Sequence, residues 1–131
     1  MSGVVNNNSV TIFRSPKTFL IKFISILSNR DNKYKFINFF DLIEYVYKYQ
    51  EAFRVRYFEV SKITDNTGKD RYFTIDMHEV INEMVFLNII EVNKKNKNMI
   101  RLTRFGEILA NSVDISDNEI DRIINIIKKD H

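Results

Sequence analysis

At 131 residues and 44% hydrophobic, the chain has the length and apolar content for one domain with its own core, and with no cysteine it excludes disulfide scaffolds, thiolate metal sites and cysteine nucleophiles. A formal net charge of +3 permits a polyanionic partner without demanding one, and the lack of cysteine fits a reducing, cytoplasmic setting. The longest apolar stretch, "TFLIKFISIL", is interrupted by Lys22 and falls short of the ~20 residues that cross a bilayer, so no membrane partner is expected.

Residues Met1–Ser15 contain the polar run "NNNS" and lack the basic start and continuous apolar stretch of a signal peptide, so they read as a flexible tail ahead of a domain over 16–131. From Lys17 to Asn29, Phe19, Leu20, Phe23, Ile24 and Leu27 recur at helical spacing, and Ile21 and Ile26 widen the stripe until Thr18, Lys22 and Ser25 mark the polar side. Such a helix has two faces to cover: one meets the core, the other a second subunit or the C-terminal helix. After "NRDNKYK", Asn38 is placed to cap a second helix with Phe39, Leu42, Ile43, Val46 and Phe53 on one side. In 54–74, "RVRYFEVSKI" and "RYFTI" flank "TDNTGKD" and read as a hairpin turning at Gly68, although the first part also reads as a continued second helix.

A third helix opens at "DMHE", where the Asp76 carboxylate can accept from the Glu79 N–H, Glu79 can reach back, and Ile75 can staple to Val80. Met77, Val80, Ile81, Met84 and Leu87 form its inward stripe, and Asn88 suits the left-handed conformation that ends a helix. Ile89–Val92 and Met99–Leu102 read as paired strands joined by "NKKNKN". Thr103 then caps a fourth helix, "RFGEILANSV", in which Gly106 allows close approach to a neighbour. A second capping box, Ser116 to Glu119 with Ile115 and Ile120 as staple, opens a C-terminal helix over 116–130 whose lysines 128 and 129 sit at the negative end of its dipole. Its isoleucine seam and the over-wide first helix both need cover. A homodimer interface is therefore expected from Phe19, Phe23, Ile120, Ile123, Ile124 and Ile127.

Two segments, "TIDMHEVINEMVFLNIIEV" and "IRLTRFGEILA", together resemble the recognition helix, wing and following leucine-threonine, then glycine, helix start of winged helix-turn-helix regulators of the PadR and MarR types. The resemblance covers Thr74 to Ala110 and extends through the first two helices back to Lys17. It implies a mainly α chain with a small β wing (α+β): a winged helix with an extra C-terminal helix and an insertion between helices two and three, where the family has a short turn. It also implies a homodimeric transcriptional regulator of an archaeon, a bacterium or one of their viruses, with double-stranded DNA as partner.

On that reading Lys94, Lys95 and Lys97 form the wing tip, with Arg101 and Arg104 close behind, and lysines there can lie along phosphates and release counterions. The plainer reading is a solvated Asn- and Lys-rich turn. Outward positions on the third helix are His78, Glu79, Asn82, Glu83 and Phe86, of which only His78 and Asn82 suit base edges, Asn82 by pairing with adenine. Phe86 suits either a protein contact or cover by the insertion, and the latter is favoured. An acidic, partly apolar outer face gives the alternative function, a winged-helix protein-interaction module in a transcription or replication assembly. "HEVIN" nearly matches the zincin motif, but Asn82 stands at the second ligand position and the other histidine, His131, is terminal. With no Gly-rich phosphate loop or nucleophile elbow either, no enzyme activity, metal or cofactor is expected.

Overall fold

The computed structural model describes residues 15–31, 35–53 and 56–129. The tail expected over Met1–Ser15, Ser15 excepted, and His131 lie outside these residues. The chain is α+β, with helices α1 (Pro16–Asp31), α2 (Phe39–Tyr49, continued by a 3-10 turn over Gln50–Phe53), α3 (Asp76–Phe86), α4 (Arg104–Asn111) and α5 (Asp117–Lys129). The strands are β1 (Ile37–Asn38), β2 (Ser61–Thr64), β3 (Asp70–Phe73), β4 (Ile90–Val92) and β5 (Met99–Leu102). They form two antiparallel sheets, ordered β1-β5-β4 and β2-β3. Among the described residues no helix is long and apolar enough to cross a membrane.

The apolar breadth of α1 has a simple cause: it is the central element, packed against α3, α4, α5 and β5. Phe19, Leu20, Phe23 and Ile24 are fully buried, and so are Ile123 and Ile127 of α5, which folds back over the chain's own core. Of the interface expected from Phe19, Phe23, Ile120, Ile123, Ile124 and Ile127, the four residues Phe19, Phe23, Ile123 and Ile127 are thus buried within the chain itself. The second face of α1 meets the C-terminal helix, and the half-buried Ile120 and Ile124 pack against the same core. Even the polar side of α1 is covered, because buried Lys22 donates from Nζ to the Ala110 carbonyl (3.1 Å) at the end of α4. Carbonyls in a last helical turn lack helical partners and carry the negative end of the dipole, so they suit an ammonium.

Local signals place most helix ends. Asn38 Oδ1 accepts from the N–H groups of Phe40 (2.8 Å) and Asp41 (3.3 Å), and Ser116 Oγ from that of Glu119 (3.2 Å). The Glu119 carboxylate turns to Arg122. The expected start of α3 is a correction: Asp76 lies in the first turn, Ile75 is 77% exposed, and the nearest side-chain acceptor is Thr74 Oγ1, 3.5 Å from the Met77 N–H. The N-cap position falls on Ile75, one residue before the expected Asp76, so no side chain caps the helix there and Ile75 has no core to staple against.

The insertion does form a hairpin, with Ser61 opposite Phe73 and Thr64 opposite Asp70 around a turn in which Gly68 has φ +85°. Its first strand is shorter than the sequence suggests, starting only at Ser61. The preceding residues serve the core: Phe58 is buried near Phe19 (ring centroids 6.3 Å), and buried Gln50 holds that segment by donating to the Phe58 carbonyl (2.8 Å) and accepting from the Tyr57 and Phe58 N–H groups (3.1 and 3.2 Å). The hairpin then rests on α2, with Tyr72 against Tyr47 (5.1 Å). β1, with only Ile37 and Asn38, is too short to carry a periodic signal and is defined by its pairing with β5.

Candidate nucleic-acid interface

The end of α3 and the start of α4 are locked together, which fixes the β4–β5 hairpin beside α3. Asn88 takes φ +62°, its N–H donates to the Val85 carbonyl (3.1 Å) and that of Ile89 to the Met84 carbonyl (2.8 Å), the two-bond Schellman ending. The Thr103 hydroxyl donates to the Asn88 carbonyl (2.6 Å) and accepts from the Gly106 N–H (3.0 Å), so one side chain ties the α3 ending to the α4 start. Along β5, Ile100 and Leu102 face the core, and Met99 and Arg101 alternate outward.

In the turn at 93–98 the asparagines and lysines divide the work. Asn93 Oδ1 accepts from the N–H groups of Lys95 (2.8 Å) and Asn96 (3.1 Å), and Asn96 Oδ1 from that of Asn98 (3.1 Å). The Phe39 N–H donates to the Asn98 carbonyl (2.7 Å), anchoring the turn to the start of α2. Lys94, Lys95 and Lys97 are exposed and enter no ion pair among the described residues.

An open cleft of about 190 Å³ lies between the hairpin, α3 and the start of α2. Phe39, Phe40, His78, Asn82, Lys97 and Asn98 line it together with apolar side chains, and no carboxylate does. The fold thus brings His78, Asn82 and Lys97 to one place. A neighbouring cleft of about 460 Å³ shares Phe40 and His78 but is of mixed charge, with Asp41, Glu44 and Asp70 beside Lys69 and Arg71.

Arg101 and Arg104 stand apart from this group. Arg101 is half-buried, ion-paired across the strands with Glu91 and placed 4.2 Å from the centroid of the Phe36 ring, so its guanidinium is engaged within the fold. Arg104 begins α4, beyond the far end of β5 from the lysine turn, a strand run of roughly 10 Å at ~3.4 Å per residue. Comparison with protein-family models, curated proteins and solved structures finds no match for this chain.

The outer face of α3 is open, which corrects the expectation that the insertion covers Phe86: that ring is 88% exposed because the hairpin packs on α2 instead. Its acidity is also reduced, since Glu83 pairs with Lys17 (2.6 Å). Both groups are well exposed, so the pair adds little stability, but it offsets one of the two carboxylates that would repel phosphate. Sequence reasoning did not single out Phe40, 53% exposed beside His78. The signal was present: with Phe39 and Ile43 on the buried stripe of α2, residue 40 falls a quarter-turn outward.

Proposed function

We propose that this chain is a winged-helix protein that binds double-stranded DNA and acts as a transcriptional regulator, its wing being the β4–β5 hairpin. The observation that carries the reading is the hairpin tip itself, where the asparagines satisfy the turn and leave Lys94, Lys95 and Lys97 without ion pairs among the described residues, Lys97 lying beside the open His78–Asn82 face of α3. The order α1, α2, α3, β4, β5, α4, with β4 paired to β5, supports it as the order of helices and wing strands that the sequence resemblance implies. The wing lysines hold phosphates, and His78 and Asn82 are the α3 side chains suited to base edges. The contact is centred on the three lysines, since Arg101 is engaged by Glu91 and Phe36 and Arg104 lies at the far end of β5, and a homodimer of this fold uses surfaces other than the buried faces of α1 and α5.

The test is binding to mixed-sequence duplex DNA as a function of salt, for the protein and for the Lys94→Ala, Lys95→Ala, Lys97→Ala triple variant. Loss of each phosphate contact flattens the plot of log affinity against log salt by about 0.9, up to about 2.7 for one wing. An unchanged slope and affinity in a folded variant would overturn the assignment.

A second reading, a protein-interaction module, is favoured by one observation: Phe86, Leu87, Phe105 and Ile108 leave 88%, 47%, 46% and 59% of their surface exposed around the α3 end and α4. No retardation of duplex DNA at low salt would select that reading over the first.

A further inference from the structure

We infer that the carboxylate-free cleft between α3 and the β4–β5 hairpin receives a single unpaired nucleobase, stacked on Phe40, with its phosphate on Lys97. The inference rests on the nucleic-acid reading above and adds the kind of site within DNA that the protein prefers.

Four observations carry it. Phe40 presents a half-exposed ring at the cleft, held edge-on by the buried Phe39 ring (centroids 5.8 Å, planes at 61°). Phe39 sets His78 in the same way on its other flank (4.7 Å, 63°), so both rings are placed before any ligand arrives. Asn82 and Asn98 line the same cleft, and a side-chain amide offers donors and an acceptor suited to the hydrogen-bonding edge of a base. Lys97 contributes the one ammonium, whereas the adjoining cleft places Asp41, Glu44 and Asp70 where a phosphate would be repelled.

An aromatic ring, two amides and a cation, without a carboxylate, match a base and its phosphate. Base faces inside a duplex are already stacked, so Phe40 can meet one only when the nucleotide is unpaired or turned out of the helix. Single-strand binding surfaces combine the same elements, with aromatic stacking worth a substantial share of the affinity.

The experiment uses the full chain and two duplexes, one fully paired and one carrying a single extra 2-aminopurine. Tighter binding of the bulged duplex by about 5- to 150-fold, with quenched 2-aminopurine fluorescence, is expected from one stacked base. Phe40→Ala should reduce that preference to near unity while the melting temperature stays close to that of the parent, and Phe40→Trp should keep the preference. Equal affinity for both duplexes without quenching, or a preference that survives Phe40→Ala in a folded protein, overturns the inference while paired-duplex binding leaves the wing reading standing. Binding to neither duplex overturns both.

Discussion

A methyl group added to Gly106 would overlap the main-chain carbonyl oxygen of Ile89, and it would also press on Leu102. That carbonyl accepts the Thr103 N–H (2.9 Å), so it cannot swing away without opening the junction between α3 and α4. Alanine gains about 1 kcal/mol over glycine in helix propensity. Backbone overlap in a packed site costs about 1–3 kcal/mol, and the second effect wins. Gly106→Ala should therefore lower the urea midpoint, with the α3 ending the first segment to lose amide protection in hydrogen exchange.

The insertion is part of the core through Phe58. Phe58→Ala should cost about 3–5 kcal/mol, as for other large-to-small changes at buried aromatic positions. Gln50→Ala should also destabilise, since it strips partners from the Tyr57 and Phe58 main chain at about 1–3 kcal/mol per buried unsatisfied group, partly recovered by water. Chemical denaturation of both variants checks this, and equal stabilities of Phe58→Ala and the parent would contradict the packing described.

The hairpin turn depends on pH through Asp65. The Thr67 hydroxyl, then the N–H groups of Lys69 and Thr67, with Arg71 adding to them, hold its carboxyl far below the usual carboxylate range. Its folded value lies below its ordinary value of 3.8, so the stability it contributes is fully present above that value and is lost as pH falls through it toward the folded one. Amide exchange at Thr67 and Lys69 should accelerate in that acid window, beyond the ordinary chemical pH dependence, while the β4–β5 turn shows no such change. In Asp65→Asn the acid-dependent part should disappear.

Ile123 belongs to the core of a single chain. Ile123→Asp should unfold the protein by burying an unpaired carboxylate, a loss of several kcal/mol, whereas Ile124→Asp at a half-buried position should be milder. Because α5 covers its own chain, the protein should keep its helical signal over a hundredfold dilution at about 25 °C, whether or not it associates through another surface. Unfolding on dilution would instead show that the core depends on a second subunit.

The sequence by itself determined the features whose chemistry is local. The caps at Asn38, Thr103 and Ser116, the left-handed Asn88, the close approach at Gly106 and the Asn-built turn at 93–98 each involve hydrogen bonds or contacts encoded within a few residues or by one residue's conformational range. Amphipathic spacing likewise made every helix legible. Tertiary structure alone decided which apolar faces cover one another: the breadth of α1 signals burial but not by what, and only folding set α5, rather than a second subunit, against it. The same holds for the charges and the candidate site. Arg101 is drawn to Glu91 and Phe36, Glu83 to Lys17, and Phe40 comes beside His78, Asn82 and Lys97 because α2, α3 and the β4–β5 hairpin converge. Spacing along the chain specifies which way a side chain points from its own helix or strand, while its neighbours across the fold depend on the packing of every element together.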